Sequence, residues 1–169
     1  MDHNKHKQAF TLIEVLLYTA IAAVVLTIIT LVFTQIIFAR ARAATVAEVD
    51  QQAMQILQLI SQSVRDSEAI ILPSAGLSSN QIQLDMVTAA VDPTTIALSG
   101  NTLSMTEKFF PPVNLSSNRV SVDNFLVTNL SRPGTKGVVR VALTLSYVNP
   151  DGRSENDYTQ TYYASINVR

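Results

Sequence analysis

The chain has no cysteine, so neither disulfides nor thiolate chemistry is available to it. That absence assigns no compartment, because an exported domain with a sufficient core needs no disulfides. Its two histidines, His3 and His6, both fall within the first six residues. Zinc coordination and histidine-based acid–base catalysis therefore lack their usual residues in the rest of the chain. The five glycines are scattered through turn-like stretches and form no phosphate-binding loop. Charged residues make up 15%, against about 25% in an average globular chain. The formal net charge of -1 gives no electrostatic reason to expect nucleic acid as a partner. An enzyme would have only scattered carboxylates to work with, so no catalytic residue, metal ligand or cofactor is assigned.

What is abundant is apolarity, 47% of 169 residues, and much of it precedes residue 40. Val15 to Ala39 contains no charged residue, no proline and no glycine. That exceeds the roughly 20 residues that cross a bilayer as a helix. It also exceeds the 7–15-residue core of an ordinary cleaved signal peptide. Lys5 and Lys7 precede the run and Arg40 and Arg42 follow it, so the positive-inside rule leaves orientation nearly balanced. Thr27, Thr30, Thr34 and Gln35 within the run can bond to their own backbone or to neighbouring helices. One carboxylate, Glu14, stands at its start. A buried acid there costs free energy unless it is paired or lies near an interface. Thr11 to Glu14, "TLIE", fits a capping box, in which Glu14 satisfies a free backbone N–H at the positive end of the helix.

The neighbours of Glu14 carry a second reading. A short polar leader, "MDHNKHKQA", ends in a small residue and is followed by "FTLIEVLL" and the long apolar helix. This resembles the class III signal of type IV pilins and type II secretion pseudopilins. The resemblance is close over about the first 30 residues. It implies cleavage by a prepilin peptidase between Ala9 and Phe10, with N-methylation of the new amine on Phe10. It implies assembly through Phe10, Thr11, Leu12, Ile13 and Glu14, with Glu14 of one subunit facing the Phe10 ammonium of its neighbour. A paired buried carboxylate is tolerable and a lone one is costly, so this charge would help set register. The capping role and the pairing role are compatible. Two departures are visible: alanine replaces the usual glycine before the cut, and Ala23 and Leu31 stand where many major pilins carry glycine and proline. The second points toward a minor pilin or pseudopilin.

Beyond Arg40, Val46, Val49, Ala53, Ile56, Leu57, Ile60 and Val64 recur every three or four residues, the apolar face of an amphipathic helix. No proline occurs before Pro73. A single helix is expected from about Phe10 to about Glu68, with its outer half packed on a β domain; a dimeric coiled coil is the competing use of the stripe. "PSAGLSSN" after it reads as loop. Strands are expected in "QIQLDMV", on both sides of Ser99-Gly100-Asn101, in "RVSVDNFLVTNL" with a bend near Asp123-Asn124, in "GVVRVALTLSYV" and in "YTQTYYASINV". "FFPPVNLSSN" reads as irregular. About six strands suffice for one antiparallel sheet. Tyr158, Tyr162 and Tyr163 read as sheet packing. Asp151, Glu155 and Asp157 share one loop, but Pro-Asp-Gly is a turn signal in its own right and the spacing is not that of an EF-hand. Asn114 and Asn129 sit in glycosylation-type triplets.

The expectation is an α+β, pilin-like lollipop: a leader at 1–9, a long helix at 10–68 and a β-rich domain at 69–169. Within the helix, about 10–39 would serve the membrane and assembly, and 40–68 would be amphipathic. The resemblance implies a non-catalytic minor pilin or pseudopilin, closest in outline to J-type minor pseudopilins, with a role at the tip or in initiation. Its partners would be other pilins or pseudopilins, the prepilin peptidase and an inner-membrane assembly platform. The chain would cross the inner membrane once, with its C-terminal domain outside the cytoplasm. The alternative is a single-span membrane protein with an external β-rich domain that binds a ligand or cell-wall polymer.

Overall fold

The computed structural model describes residues 11–132 and 137–169. It divides into two compact units, Met1–Arg40 and Ala41–Arg169, the boundary falling inside one helix. That helix, α1, runs Leu12–Arg65 without interruption. In its second half Thr45, Val49, Ala53, Ile56, Ile60 and Val64 are buried, spaced by three or four residues. Val46 and Leu57 on the flanks of the stripe are half-buried.

The helix ends three residues before the expected Glu68. Asp66 N–H donates to the Gln62 carbonyl, and the buried Ser67 hydroxyl donates to the Val64 carbonyl at 2.8 Å. One carbonyl that the helix leaves open is thus taken by a side chain, and the backbone turns into a strand. Arg65 in the last turn complements the negative end of the helix.

Among the described residues nine strands follow, all antiparallel, in two sheets rather than one. They are β1 (Ser67–Leu72), β2 (Ser78–Ser79), β3 (Gln81–Met86), β4 (Thr94–Ser99), β5 (Thr102–Glu107), β6 (Val113–Asn114), β7 (Val120–Asn129), β8 (Val138–Tyr147) and β9 (Thr159–Asn167). The first sheet has the order β1-β3-β4-β5-β6 and the second β2-β7-β8-β9. The β4–β5 hairpin closes over Gly100-Asn101, with Gly100 at φ +59°, a left-handed conformation that favours glycine. β1 escapes the sequence pattern because Ile70 alone of its apolar residues packs against the core, while Ile71 and Leu72 stay exposed. β2 and β6 lie inside the stretches read as loop and irregular chain; each is only two residues long.

Both sheets and the second half of α1 contribute to one core. Ile82, Leu84, Ile96 and Leu103 come from the first sheet, and Val122, Phe125, Val127, Val141, Leu143 and Leu145 from the second. The bend expected near Asp123-Asn124 is a β-bulge. Val122 pairs with Leu145 and Asn124 with Thr144, so Asp123 has no partner across the ladder. The extra residue reverses the alternation. Val120 and Val122 face inward before it, and Phe125, Val127 and Asn129 after it. Without the bulge Phe125 would point to solvent.

Among the described residues every buried polar side chain has a hydrogen-bond partner. Asn129, 3% exposed, donates to the Pro73 carbonyl at 2.7 Å and accepts from the Ser131 N–H at 3.0 Å. Its amide nitrogen is buried and holds the loop after β1, so in the folded chain it is not accessible as a glycan acceptor. The Asp123 carboxylate accepts from the Ser121 and Ser146 hydroxyls, each at 3.0 Å. Asn101 donates to Ser121 at 2.7 Å, which ties the β4–β5 turn to the second sheet. Gly137, next to the start of β8, lies against the Ile70 side chain of β1: a Cβ there would come within 2.3 Å of Ile70 Cδ1, so a larger residue would require that side chain to move.

Candidate functional site

The residues that carry the resemblance lie at the start of α1. Ala9 and Phe10, the expected cleavage and methylation positions, are outside the described residues. Thr11 is the residue that starts the helix. Its carbonyl accepts from Glu14 N–H at 3.1 Å and from Val15 N–H at 3.3 Å. The expected side-chain capping box does not form among the described residues. The Glu14 carboxylate turns instead along the helix and accepts from the Tyr18 hydroxyl, one turn on, at 3.3 Å. Tyr18 was not singled out in the sequence, although its i, i+4 spacing from Glu14 was legible there.

From Leu12 to Arg40 no side chain of the first unit is buried. The large apolar side chains between Leu12 and Phe38 are 46–79% exposed. Twenty-nine residues of helix rise about 43 Å, more than the roughly 30 Å hydrocarbon thickness of a bilayer. The hydroxyls of this segment are already satisfied. Thr19, Thr27, Thr30 and Thr34 donate to the carbonyls of Leu16, Ala23, Leu26 and Leu31, at 2.8–2.9 Å. A hydroxyl bonded to its own backbone offers a methyl to its surroundings and carries little desolvation cost into lipid. Leu12 and Ile13, at 79% and 76% exposure, are the most exposed apolar side chains of the segment.

Residues 4–30 match the family described as the prokaryotic N-terminal methylation motif. This prepilin-type motif supports the type IV pilin and pseudopilin class, and with it a pilin- or pseudopilin-like subunit. It implies processing by a prepilin peptidase and assembly with other pilins. Together with the one helix of membrane-spanning length and apolarity among the described residues, it supports single-pass anchoring in the inner membrane. Families that carry the motif are structural and generally non-catalytic. No curated protein and no solved structure matches the chain.

In the second unit, the other sequence-derived candidates fall apart as sites. The 149–157 loop is closed by its own Asn149, whose amide donates to the Arg153 carbonyl at 2.7 Å and accepts from Arg153 N–H at 3.1 Å. Among the described residues no three Asp, Glu, His or Cys side chains converge as a metal site would need. The loop is anchored to the helix by Thr45 and Asn156, whose side chains meet at 3.3 Å. The three tyrosines part company. Tyr158 and Tyr162 pack on the core, whereas Tyr163 is 72% exposed, contrary to the packing role expected of it. Strand alternation sends neighbours 162 and 163 to opposite faces. The Tyr162 hydroxyl donates to Asp50 on α1. Burial, reinforced by that carboxylate, pushes its ionisation above the ordinary tyrosine range.

Proposed function

We propose that the chain is a minor pilin or pseudopilin, assembled through its N-terminal helix into a type IV pilus or a type II secretion pseudopilus. The observation that carries this reading is the coincidence of the prepilin-type motif at 4–30 with a helix whose first half leaves every apolar side chain uncovered. In this reading the peptidase cuts between Ala9 and Phe10, Phe10 is methylated, and its ammonium pairs with Glu14 of a neighbouring subunit. The domain of residues 41–169 lies outside the cytoplasm. Two features support a minor or pseudopilin-type subunit, acting at the tip or in initiation. No glycine or proline interrupts α1, and the helix is continuous from Leu12 to Arg65.

Mass spectrometry of the N-terminal peptide from membrane-extracted protein tests the processing. The expected chain begins at Phe10 with a methylated amine. A native chain still beginning at Met1, in cells with active peptidase, overturns the proposal. The role of Glu14 is tested by Glu14→Gln. Glutamine keeps the side chain's length and hydrogen-bonding capacity but not its charge. Loss of incorporation with normal membrane insertion supports charge pairing, and normal assembly of Glu14→Gln refutes it.

A further inference from the structure

The two sheets have four edges, and three of them are blunted. β2 and β6 are two residues long. β1 has six residues, but its pairing with β3 shifts register twice. β9 differs. Its nine residues pair with β8 in one unbroken register, from Thr159 to Asn167. It contains no charged residue, no proline and no glycine. Natural sheets protect long edges with charge, proline, bulges or shortness, because an open row of N–H and C=O groups templates pairing with another chain.

The hydrogen-bond parity of β9 defines which groups are open. Val168 N–H donates to the Gly137 carbonyl at 2.8 Å, and the Tyr158 carbonyl accepts from Tyr147 N–H at 3.0 Å. Even-numbered residues therefore direct both backbone groups at β8. In an antiparallel ladder the odd-numbered ones, 159, 161, 163, 165 and 167, direct theirs at the free edge. Tyr163, at the midpoint of the strand, is the most exposed large apolar side chain of the strand.

We propose that this edge pairs with the β9 edge of a second copy of the chain, antiparallel and centred on Tyr163. In that register Tyr163 faces Tyr163 of the second copy, Thr161 faces its Ser165, and Thr159 faces its Asn167. All are odd-numbered, so every facing pair has its backbone groups available, giving about ten hydrogen bonds at two per pair. The same register sets Asp157, just before the strand, opposite Arg169 of the other copy, just after it. Both side chains are exposed, and among the described residues neither has an ion-pair partner. Opposite charges therefore meet at each end, and no like charges meet in between. The contact is self-complementary, as a two-fold interface requires. A two-fold axis reverses the strand, whereas successive subunits of one filament share a direction. The pair therefore forms outside the contacts between such subunits, and it stands independently of the assembly proposal.

The absence of cysteine makes the register directly readable. In full chain purified in detergent, Tyr163→Cys is expected to yield a disulfide-linked dimer on mild oxidation. Residues directly opposite in a hydrogen-bonded pair lie about 5.5 Å apart at Cα, within the range a disulfide spans. Thr161→Cys and Ser165→Cys should each fail alone and cross-link when mixed. Sedimentation of the cysteine-free chain should show a dimer that Tyr163→Lys, which sets two ammonium groups face to face, converts to monomer. Asp157→Arg and Arg169→Asp should each weaken the dimer, and their combination should restore it. A cysteine-free chain that stays monomeric at high concentration overturns the proposal. So does self-association that survives Tyr163→Lys, which would belong to the apolar helix, and so does equal cross-linking at 161, 163 and 165.

Discussion

From Leu12 to Phe38 the large apolar side chains of α1 are 46–79% exposed, while Val49, Ala53, Ile56, Ile60 and Val64 farther along the same helix are fully buried. The two stretches do not differ in regularity. They differ in how apolarity is distributed around the axis. The first is apolar all round and has a polar residue at few positions. The second gathers its apolar residues on one stripe and carries Glu48, Asp50, Gln55, Gln58 and Gln62 elsewhere. A one-sided helix finishes its burial within its own chain, here against two sheets. An all-round apolar helix cannot, and needs lipid or other helices.

The largest contrast is expected from matched truncations. Ile56→Ala should lower the stability of the domain by about 2–5 kcal/mol, because it opens a cavity in a packed core. Ile28→Ala, on the uncovered stretch, should leave the unfolding curve unchanged. Denaturant unfolding of the detergent-solubilised chain measures both, and an equal loss from Ile28→Ala would erase the distinction between the two regions. Next comes Ile28→Lys. A cation near the centre of a spanning helix costs about 3 kcal/mol on insertion scales. The variant should fall in the membrane fraction while its folded domain melts as before.

A smaller effect sharpens the boundary on the covered side. Tyr162→Phe removes the hydroxyl that meets Asp50 and should cost about 1 kcal/mol at neutral pH. The pH profile carries more information. The phenol's ionisation is raised in the folded chain, so folding favours the protonated form. Its contribution is fully present below about pH 10, the ordinary tyrosine value, and is lost as pH rises toward the folded value. Unfolding curves of Tyr162→Phe should therefore fall less steeply above that pH than those of the unaltered chain. The smallest effect is expected for Gln55→Ala, exposed on α1 one residue from Ile56. It should change stability by less than about 0.5 kcal/mol. A large loss there would mean that the polar side of this stretch is covered too.

Much of this was legible in residue order. The stripe from Val49 to Val64 and the hairpin over Gly100-Asn101 follow from periodicity and turn chemistry, both local properties. β1 was not legible, because Ile70-Ile71-Leu72 neither alternates nor keeps a helical period. The side-chain capping box was misread for a different reason, one that residue order did record. The pattern places Thr11 and Glu14 correctly at the helix start, but Tyr18 competes for the same carboxylate.

By itself the amino-acid sequence determined what depends on neighbours along the chain: a membrane-length apolar helix, a prepilin-type start, a one-sided continuation and most strand positions. Only the tertiary structure decided how those strands divide into two sheets, since pairing depends on contacts distant in sequence. It also decided that the extra residue at Asp123 turns Phe125 inward, that Asn129 is consumed by the Pro73 carbonyl, and that Tyr162 reaches Asp50 across 112 residues. The open edge of β9 belongs with these. Whether a strand is an edge is a property of what lies beside it, and no local pattern of residues records its neighbours.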